Sequence, residues 1–307
     1  MLGITEIGSY IPTRRLSNYA RTDQFGITND FIDEKIGVRH ISIKDADEDS
    51  SDLAIKAFEN LTKKIDIKHE EVDALVVVTQ NPDYNIPQTS AMLHGELGFN
   101  DNCAAFDISL GCSGYVYALS IILGFMKENH LRKGLLFTSD PYSKIVDHTD
   151  KNTSLLFGDG AAVTYISAHP SFIPAKFSFG TMGKNYQDLI CRNNKLYMNG
   201  RSVFNFAAKQ VPTDVARVLE LNDIKIQDVD RFVFHQGSLH IVNTIAKRLE
   251  IPPEKVVFDA WDYGNTVSSS IPIILEKEIK KQNNKTILIC GFGVGLSWAS
   301  TVLKRIN

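Results

Sequence analysis

Segments 104–123 and 256–275 of the sequence repeat one pattern. Each predicts an apolar strand, an aspartate, a turn of small residues and an apolar helix, written AAFDISLGCSGYVYALSIIL and VVFDAWDYGNTVSSSIPIIL. A repeat of this kind indicates two copies of one supersecondary plan that bury their apolar faces against each other. We therefore predict an internal duplication, with an N-terminal half at 1–168 and a C-terminal half at 169–307.

The rest of the chain predicts an α/β fold. Residues 73–79, DALVVVT, form a continuous apolar β-branched run that is typical of a strand buried on both faces. Residues 51–64 place apolar side chains at helical spacing. Such strands alternate with helices along the chain, and further strands are predicted at 256–258, 286–290 and 296–304. The alternation predicts a mainly parallel sheet that is covered by helices.

Composition excludes several classes of partner and site. A net charge of −3 gives no reason to expect nucleic acid or an anionic membrane as a partner. Four cysteines, at 103, 112, 191 and 290, are too scattered for a zinc site or a disulfide framework. The N-terminus lacks a signal-peptide pattern, and the longest apolar stretch, 115–126, is too short to span a bilayer. We expect a soluble cytoplasmic protein without a metal site.

Cys112 lies in the turn of the first repeat, between a predicted strand and a predicted helix. Unpaired N–H groups and a partial positive charge at a helix N-terminus favour a thiolate. Small neighbours on either side of the cysteine let a substrate carbonyl approach the sulfur. The alternative is a buried cysteine with no chemical role, which is common for intracellular proteins.

His235 and Asn265 also follow strands at turns that lead into helices. Each one alone is more simply explained as a structural residue. Because all three turns should lie at one edge of the sheet, together with Cys112 they indicate cysteine-based acyl chemistry. A papain-like cysteine hydrolase is a minor alternative, although the residues that surround the catalytic cysteine of such enzymes are absent from this sequence. The run Gly291–Gly295 is not a dinucleotide loop, because the chain ends before the required helix, strand and acidic residue.

The chain resembles β-ketoacyl-acyl-carrier-protein synthase III, a condensing enzyme of the thiolase fold. The resemblance covers nearly the whole length and depends on separate motifs in the same order. These are IGSYIP (7–12), IGVRH (36–40), FDISLGCSGYVYAL (106–119), LFGDGAA (156–162), MNGRSVF (198–204), FHQGSLHI (234–241), YGNTVSSSIP (263–272) and GFGVGLSW (291–298). It implies a thiolase-like fold in an α/β/α/β/α arrangement of layers, and a homodimer.

The resemblance also implies a reaction, a decarboxylative Claisen condensation catalysed by an acyltransferase. A thioester primer would acylate Cys112, and His235 and Asn265 would complete the catalytic triad. A malonyl-acyl-carrier-protein would then lose carbon dioxide and yield a 3-oxoacyl thioester. Backbone N–H groups of Cys112 and Val294 would bind the oxyanion of acylation, although valine can donate there only with a negative φ. Non-decarboxylating transfer of the acyl group from Cys112 to an amine or hydroxyl is the alternative reaction.

The remaining implied sites concern the substrates, which would arrive on the phosphopantetheine of acyl carrier protein or coenzyme A without a further cofactor. The implied substrate- and pantetheine-binding residues are Phe31, Lys35, Arg39, Lys151, Leu156, Phe204 and Gly237. Ile86 would cover the acyl pocket across the dimer, and His240, Lys247 and Arg248 would dock the carrier protein. Phe31, Lys35 and Lys151 replace a tryptophan and two arginines of the family. We therefore expect a weakened clamp for the coenzyme A adenine. We also expect a primer that is delivered on carrier protein at least as readily as on coenzyme A, in a housekeeping or a specialised pathway.

Overall fold

The computed structural model of the chain describes residues 1–306. Within that range no helix combines the length and the apolar character that crossing a bilayer requires. The strands are β1 (Gly3–Tyr10), β2 (Arg15–Ser17), β3 (His40–Ser42), β4 (Ala74–Val78), β5 (Ala104–Ile108), β6 (Gly134–Ser139), β7 (Ala161–Ser167), β8 (Phe172–Pro174), β9 (Ser178–Thr181), β10 (Leu189–Arg192), β11 (Lys195–Met198), β12 (Arg231–Phe234), β13 (Thr286–Gly293) and β14 (Ser297–Arg305). The helices are α1 (Thr22–Phe25), α2 (Ser50–Thr62), α3 (Thr89–Glu96), α4 (Gly114–Glu128), α5 (Lys151–Ser154), α6 (Gly200–Leu221), α7 (Leu239–Arg248) and α8 (Ser270–Glu278), with a short π-helical segment at Phe31–Ile36.

Ten of these strands form one hydrogen-bonded sheet. Its order is β12-β13-β14-β8-β1-β7-β6-β4-β5, and β9 pairs with β14 beside this path. The short strand β8 pairs with both β1 and β14 and so connects the strands of the first half to those of the second. The pairs β2–β3 and β10–β11 are separate antiparallel ribbons.

Helices cover the strands in three layers. Apolar side chains of α2 and α3 pack on β4, β6 and β7 and form one outer core. Helices α4 and α8 lie in the middle, where their apolar faces pack against strands of both halves. Helices α6 and α7 cover β12, β13 and β14 on the other outer side. The order of layers is therefore α/β/α/β/α, which confirms the predicted fold class.

Local sequence explains the best-predicted elements. Helix α2 begins with a capping box, in which the Asp49 and Asp52 carboxylates accept backbone N–H groups of the first turn. Every residue of β4 is buried, as its continuous apolar run predicts. The N-terminus of α7 is capped by Ser238, whose hydroxyl accepts the N–H of Ile241 at 3.3 Å.

Two predictions about the sheet are wrong. The sheet is mixed, because only β4–β5, β4–β6 and β12–β13 are parallel pairs, while the other pairs are antiparallel. A continuous apolar run shows that a strand is covered on both faces but does not fix its direction. The strand predicted at 256–258 is a single bridge between Val256 and Phe232. The division into halves at 168 stays a prediction.

Candidate active site

Cys112 lies in the turn between β5 and α4, and its side chain is buried. The turn is closed by the N–H of Gly114, which donates to the carbonyl of Gly111 at 2.7 Å. The end of β13 approaches the cysteine from the other half of the chain. A Cβ atom added at Gly293 would lie 2.8 Å from the Cys112 sulfur, so a larger residue there would force one of the two to move. Two elements far apart in sequence therefore enclose the thiol.

His235 directly follows β12. Its N–H donates to the carbonyl of Cys290 on β13 at 2.9 Å, so the parallel pairing of the two strands fixes its backbone. On the ring, Nδ1 lies 2.8 Å from the Ser270 hydroxyl oxygen, which is itself 3.0 Å from the Val267 carbonyl oxygen. The Phe292 ring packs edge-on against the imidazole at a centroid distance of 5.5 Å. These contacts hold the imidazole in one orientation.

Asn265 is held by the backbone of residues 156–158. Its N–H donates to the Leu156 carbonyl at 2.7 Å, and its carbonyl accepts the N–H of Gly158 at 3.0 Å. The side-chain Oδ1 accepts the Val267 N–H at 2.9 Å, which leaves Nδ2 directed at His235, 3.3 Å from Nε2. Val267 has a φ of 53°, a left-handed conformation that is strained for a β-branched residue. The strained backbone therefore orients the amide toward the histidine.

Burial dominates the protonation of the site. It raises the pKa of the Cys112 thiol to about 12, assisted by the nearby Asp140 carboxyl and opposed by the backbone N–H groups of Val294 and Cys112. Burial also lowers the pKa of His235 to about 3, opposed by the Val267 backbone. The thiolate that the sequence suggested is thus not the resting form. At neutral pH the free site holds a thiol beside a neutral imidazole.

A cavity of about 440 Å³ connects this site to the surface. Cys112, His235 and Asn265 all line it, so the structure brings the three predicted catalytic residues together. Its walls are mostly apolar. Of the predicted binding residues, the cavity is lined by Phe31, Lys35, Leu156, Phe204, Gly237 and His240.

Two aromatic rings at the mouth of the cavity pack against neighbouring side chains. The Lys151 ammonium lies over the Phe31 ring, 5.1 Å from its centroid. The Phe204 and His240 rings stack with a centroid distance of 5.0 Å and an interplanar angle of 7°. Arg39 lies outside the cavity, where its guanidinium pairs with Asp33 at 2.9 Å. Lys151 thus contacts the mouth through Phe31, and the binding role of Arg39 stays a prediction.

The other predicted residues occupy three different places. The Val294 backbone lowers the pKa of the Cys112 thiol. Val294 does not have a positive φ, as donation from its N–H to an oxyanion would require. His240, Lys247 and Arg248 are all exposed on or at the end of α7. Ile86 is 88 % exposed and stands apart from the catalytic cavity of its own chain. The assigned roles of these residues stay predictions.

Sequence reasoning missed three polar residues around the site. Ser270 contacts His235, and Gln80 and Tyr142 lie beside Gly111, the residue before Cys112. The signal for Gln80 and Tyr142 is their position after the buried strands β4 and β6, at the edge where Cys112 also lies. Ser270 gave no such signal. It is the last of three consecutive serines, and nothing in the sequence distinguishes it from Ser268 and Ser269, which are equally buried.

Comparison with known proteins gives a consistent result. Residues 106–183 match the family model "3-Oxoacyl-[acyl-carrier-protein (ACP)] synthase III", and residues 219–305 match the model of its C-terminal part. The chain is 34% identical to a β-ketoacyl-[acyl-carrier-protein] synthase III of Geobacillus kaustophilus over 98% of both chains. It is 32% identical to a second such enzyme of Halalkalibacterium halodurans, over 98% of this chain and 96% of the relative.

Solved structures agree with the sequence matches. A β-ketoacyl-[acyl-carrier-protein] synthase III of Thermus thermophilus superimposes with a TM-score of 0.92 at 30% identity, over 99% of both chains. A 3-oxoacyl-[acyl-carrier-protein] synthase III of Aquifex aeolicus gives a TM-score of 0.93 at 29% identity, over 99% of this chain and 100% of that one. With the geometry of Cys112, His235 and Asn265, these similarities show that the chain belongs to the 3-oxoacyl-[acyl-carrier-protein] synthase III family.

Proposed function

We propose that this chain is an acyltransferase that condenses a Cys112-bound acyl primer with a malonyl thioester on acyl carrier protein, with loss of carbon dioxide. The product is a 3-oxoacyl thioester for the synthesis of a fatty acid or a related lipid or secondary metabolite. The proposal depends on one observation, that Cys112, His235 and Asn265 line the same mostly apolar cavity. A thiol nucleophile and two neutral nitrogen groups fit both half-reactions.

Acylation needs a base, because the Cys112 thiol is protonated at rest. The hydrogen-bond network of the free site provides one. When the Ser270 hydroxyl donates to the Val267 carbonyl, it accepts the His235 Nδ1–H, and Nε2 keeps its lone pair. Nε2 can then take the thiol proton while sulfur attacks the thioester carbonyl. The backbone N–H groups of Cys112 and Val294 stabilise the oxyanion, and the departing thiol recovers the proton.

Condensation needs hydrogen-bond donors instead of a general base. Loss of carbon dioxide from the malonyl group leaves its electron pair in an enolate, whose oxygen requires hydrogen bonds. Asn265 Nδ2 donates one. His235 donates the other in its second neutral tautomer, in which Nδ1 has given its proton to water, Nε2 has taken one from water, and Nδ1 accepts the Ser270 hydroxyl. The mostly apolar cavity disfavours the malonyl carboxylate and so favours its departure. The carbanion attacks the acyl carbonyl, the carbon–sulfur bond to Cys112 breaks, and the released thiolate takes a proton from water.

Carrier protein suits the mouth of the cavity better than coenzyme A does. The Phe31 face that would stack on adenine is covered by the Lys151 ammonium. The exposed Lys247 and Arg248, beside His240 on α7, offer positive charge to an acidic carrier protein. We therefore infer that acyl carrier protein delivers the primer as well as the malonyl group.

A homodimer also follows from the proposal. Strand β5 lies at one end of the sheet, and all five of its residues are partly exposed. An open edge of this kind favours pairing with another strand. The Asp107 carboxylate in β5 accepts the N–H groups of Thr89 and Ser90, which ties the loop around Ile86 to this edge. Sedimentation equilibrium should give the mass of two 34.3 kDa chains; a single chain would contradict the dimer and the role of Ile86.

Intact-mass analysis of the acylated protein tests the reaction. Incubation with acyl-carrier and acyl-coenzyme A thioesters should add one acyl group, which the Cys112→Ala variant should lack and the Cys103→Ser variant should keep. Malonyl-carrier should then release carbon dioxide and yield the 3-oxoacyl thioester. No adduct on Cys112 with any thioester would contradict the mechanism. Adducts that persist without carbon dioxide release would favour transfer to an amine or hydroxyl.

A further inference from the structure

Two buried serines connect the turn around Cys112 to the loop that joins β13 to β14. Ser113 directly follows Cys112 and is fully buried, and Ser297 begins β14 and is 3 % exposed. Their hydroxyl oxygens lie 2.7 Å apart, and the Ser297 oxygen lies 2.8 Å from the Val294 carbonyl oxygen. Two hydroxyl groups in series, the serine chain, therefore link the residue after Cys112 to Val294.

The direction of both hydrogen bonds follows from the atoms involved. A carbonyl oxygen carries no hydrogen, so the Ser297 hydroxyl donates to Val294. Because a hydroxyl group has a single hydrogen, the Ser113 hydroxyl must then donate to Ser297. Both hydroxyl protons are thus engaged within the protein.

Ser113 also occupies the N-cap position of α4. A serine at this position usually accepts an N–H of the first helical turn through its side chain, but Ser113 makes no such bond. The Ser113 hydroxyl therefore stabilises the contact with Ser297 and does not cap its own helix.

The turn around Cys112 meets the end of β13 and the loop after it at two further points. A Cβ atom added at Gly111 would lie 2.7 Å from Val294 Cγ1, and one added at Gly293 would lie 2.7 Å from the Cys112 Cβ. These are packing contacts without direction. In the part of the chain that the structure describes, no backbone hydrogen bond joins the turn to this loop. The serine chain thus adds a directional contact between the two segments.

A directional contact matters here because of the proposed acylation. The step places negative charge on one oxygen atom, which the N–H groups of Cys112 and Val294 must reach together. These two residues belong to segments far apart in sequence, so no single helix or strand fixes the distance between their N–H groups. One end of the serine chain lies next to the first donor, and the other end holds the carbonyl of the second.

We propose that Ser113 and Ser297 are positioning residues, whose hydroxyl groups hold the Cys112 and Val294 N–H groups at the spacing that an oxyanion requires. The inference rests on the proposed function and concerns the acylation step at that same site. Loss of either hydroxyl should therefore slow the reaction that forms an oxyanion more than it slows other reactions of the Cys112 sulfur.

Two reactions of Cys112 test this difference. Acylation by an acetyl-carrier thioester forms an oxyanion at the carbonyl that sulfur attacks. Iodoacetamide alkylates sulfur by displacement of iodide from a saturated carbon, and no oxyanion forms. Intact mass measures acylation, and peptide mass measures alkylation of Cys112 at the same pH. In Ser297→Ala the ratio of the acylation rate to the alkylation rate should fall roughly tenfold or more, as for a displaced oxyanion donor.

A second variant and a control complete the experiment. Ser113→Ala should lower the same ratio, because it removes the link and leaves the bond from Ser297 to Val294 in place. It also tests the inference if Ser297→Ala does not fold. Ser300→Ala is the matched control, since Ser300 is buried on the same strand but its hydroxyl donates to Asp214. This variant should keep the wild-type ratio.

The outcomes separate the serine chain from the proposed function. An unchanged ratio in a folded Ser297→Ala variant or in Ser113→Ala would overturn the positioning role, as would an equal fall in Ser300→Ala. These results leave the condensation intact. A lowered ratio in both serine variants without 3-oxoacyl product from the wild type would support the positioning role and overturn the proposed reaction. The absence of any wild-type acyl adduct would overturn both.

Discussion

Two opposed effects determine the pKa of the Cys112 thiol. The backbones of Val294 and Cys112 lower this pKa. Burial acts in the opposite direction and prevails, with a further contribution from the Asp140 carboxyl. A cysteine near a helix N-terminus is therefore not a thiolate by position alone. The proton must leave during the reaction, when His235 and the substrate are in place.

Asp140 gives a way to test this balance. Burial raises its pKa to about 7, so the carboxyl becomes an anion as pH rises past that value and then disfavours the Cys112 thiolate. Removal of the charge in Asp140→Asn should lower the pKa of Cys112. Alkylation of Cys112 by iodoacetamide at about pH 9 should become roughly two- to tenfold faster, since one pKa unit is a tenfold change in thiolate.

Asp214→Asn is the matched control. Asp214 is a buried carboxylate that accepts the hydroxyls of Ser178 and Ser300 and whose charge acts on Cys290. Its replacement should leave the alkylation of Cys112 unchanged. Equal acceleration in both variants would indicate general loosening of the fold and would contradict the electrostatic explanation. Mapping of the modified cysteine by peptide mass separates Cys112 from Cys290.

Ser270 is a positioning residue whose loss should separate the two half-reactions. Without the Ser270 hydroxyl, Nδ1 of His235 has no donor from which to accept a hydrogen bond, and the Val267 backbone, which favours a proton on His235, should keep the proton on Nδ1. Nε2 then remains a base but cannot donate to the enolate. In Ser270→Ala, condensation should fall roughly 100-fold, as for loss of one oxyanion donor, while acylation should fall much less.

Single-turnover acylation by intact mass and steady-state formation of 3-oxoacyl product measure the two steps. Ser270→Thr, which keeps a hydroxyl, should recover condensation. Ser269→Ala is the control, since that buried hydroxyl bonds to Thr138 and Gly160 and not to His235. Equal losses of both steps in Ser270→Ala would mean a purely structural role.

At the scale of elements, the sequence predicted what periodicity and burial encode. Buried β4 and amphipathic α2 lie within two residues of their predicted bounds. Short strands such as β8, with three residues, are too brief to show any period and were not predicted. The direction of a strand could not be predicted from its sequence either, because antiparallel partners such as β13 and β14 are as apolar as parallel ones.

The end of β13 supplies a prediction about an element that closes the site. A methyl group at Gly293 would lie 2.7 Å from the Cys112 Cβ and 2.8 Å from its sulfur, so one of the two must move. Gly293→Ala should lower acylation of Cys112 by roughly 100-fold, the effect expected for a displacement of about 1 Å at a reacting centre. Intact mass after a short incubation with acetyl-carrier thioester measures the loss.

Gly124→Ala provides the control for that variant. Gly124 is exposed inside α4, and no atom lies within 4 Å of an added Cβ. Because alanine is favoured over glycine in helix interiors by about 1 kcal/mol, this variant should keep its activity and be slightly more stable. Normal acylation in Gly293→Ala would show that the backbone adjusts and that the close approach is not required.

Across the whole molecule, the meeting of the three proposed catalytic residues could be predicted, and the contacts around them could not. Cys112, His235 and Asn265 follow separate strands or turns that the α/β plan brings to one edge, and the cavity contains all three. The contacts of Gln80, Tyr142 and Val294 around Gly111 depend on side chains from three distant segments. Contacts of this kind follow from packing, which no local pattern records.

The last prediction concerns α7, the helix on which the carrier protein is proposed to dock. Lys247 is exposed at the C-terminal turn of α7, on the surface proposed to bind an acidic carrier protein. Lys247→Glu should raise KM for acyl-carrier substrates roughly tenfold at low salt, with kcat nearly unchanged and with little effect on the coenzyme A ester of the same acyl group. Added salt should reduce the difference, because screening weakens charge pairing at the rim. Lys280→Glu, an exposed lysine two residues beyond α8, should leave both substrates unaffected. An equal rise in KM for both thioesters would place the effect in the cavity and contradict carrier docking on α7.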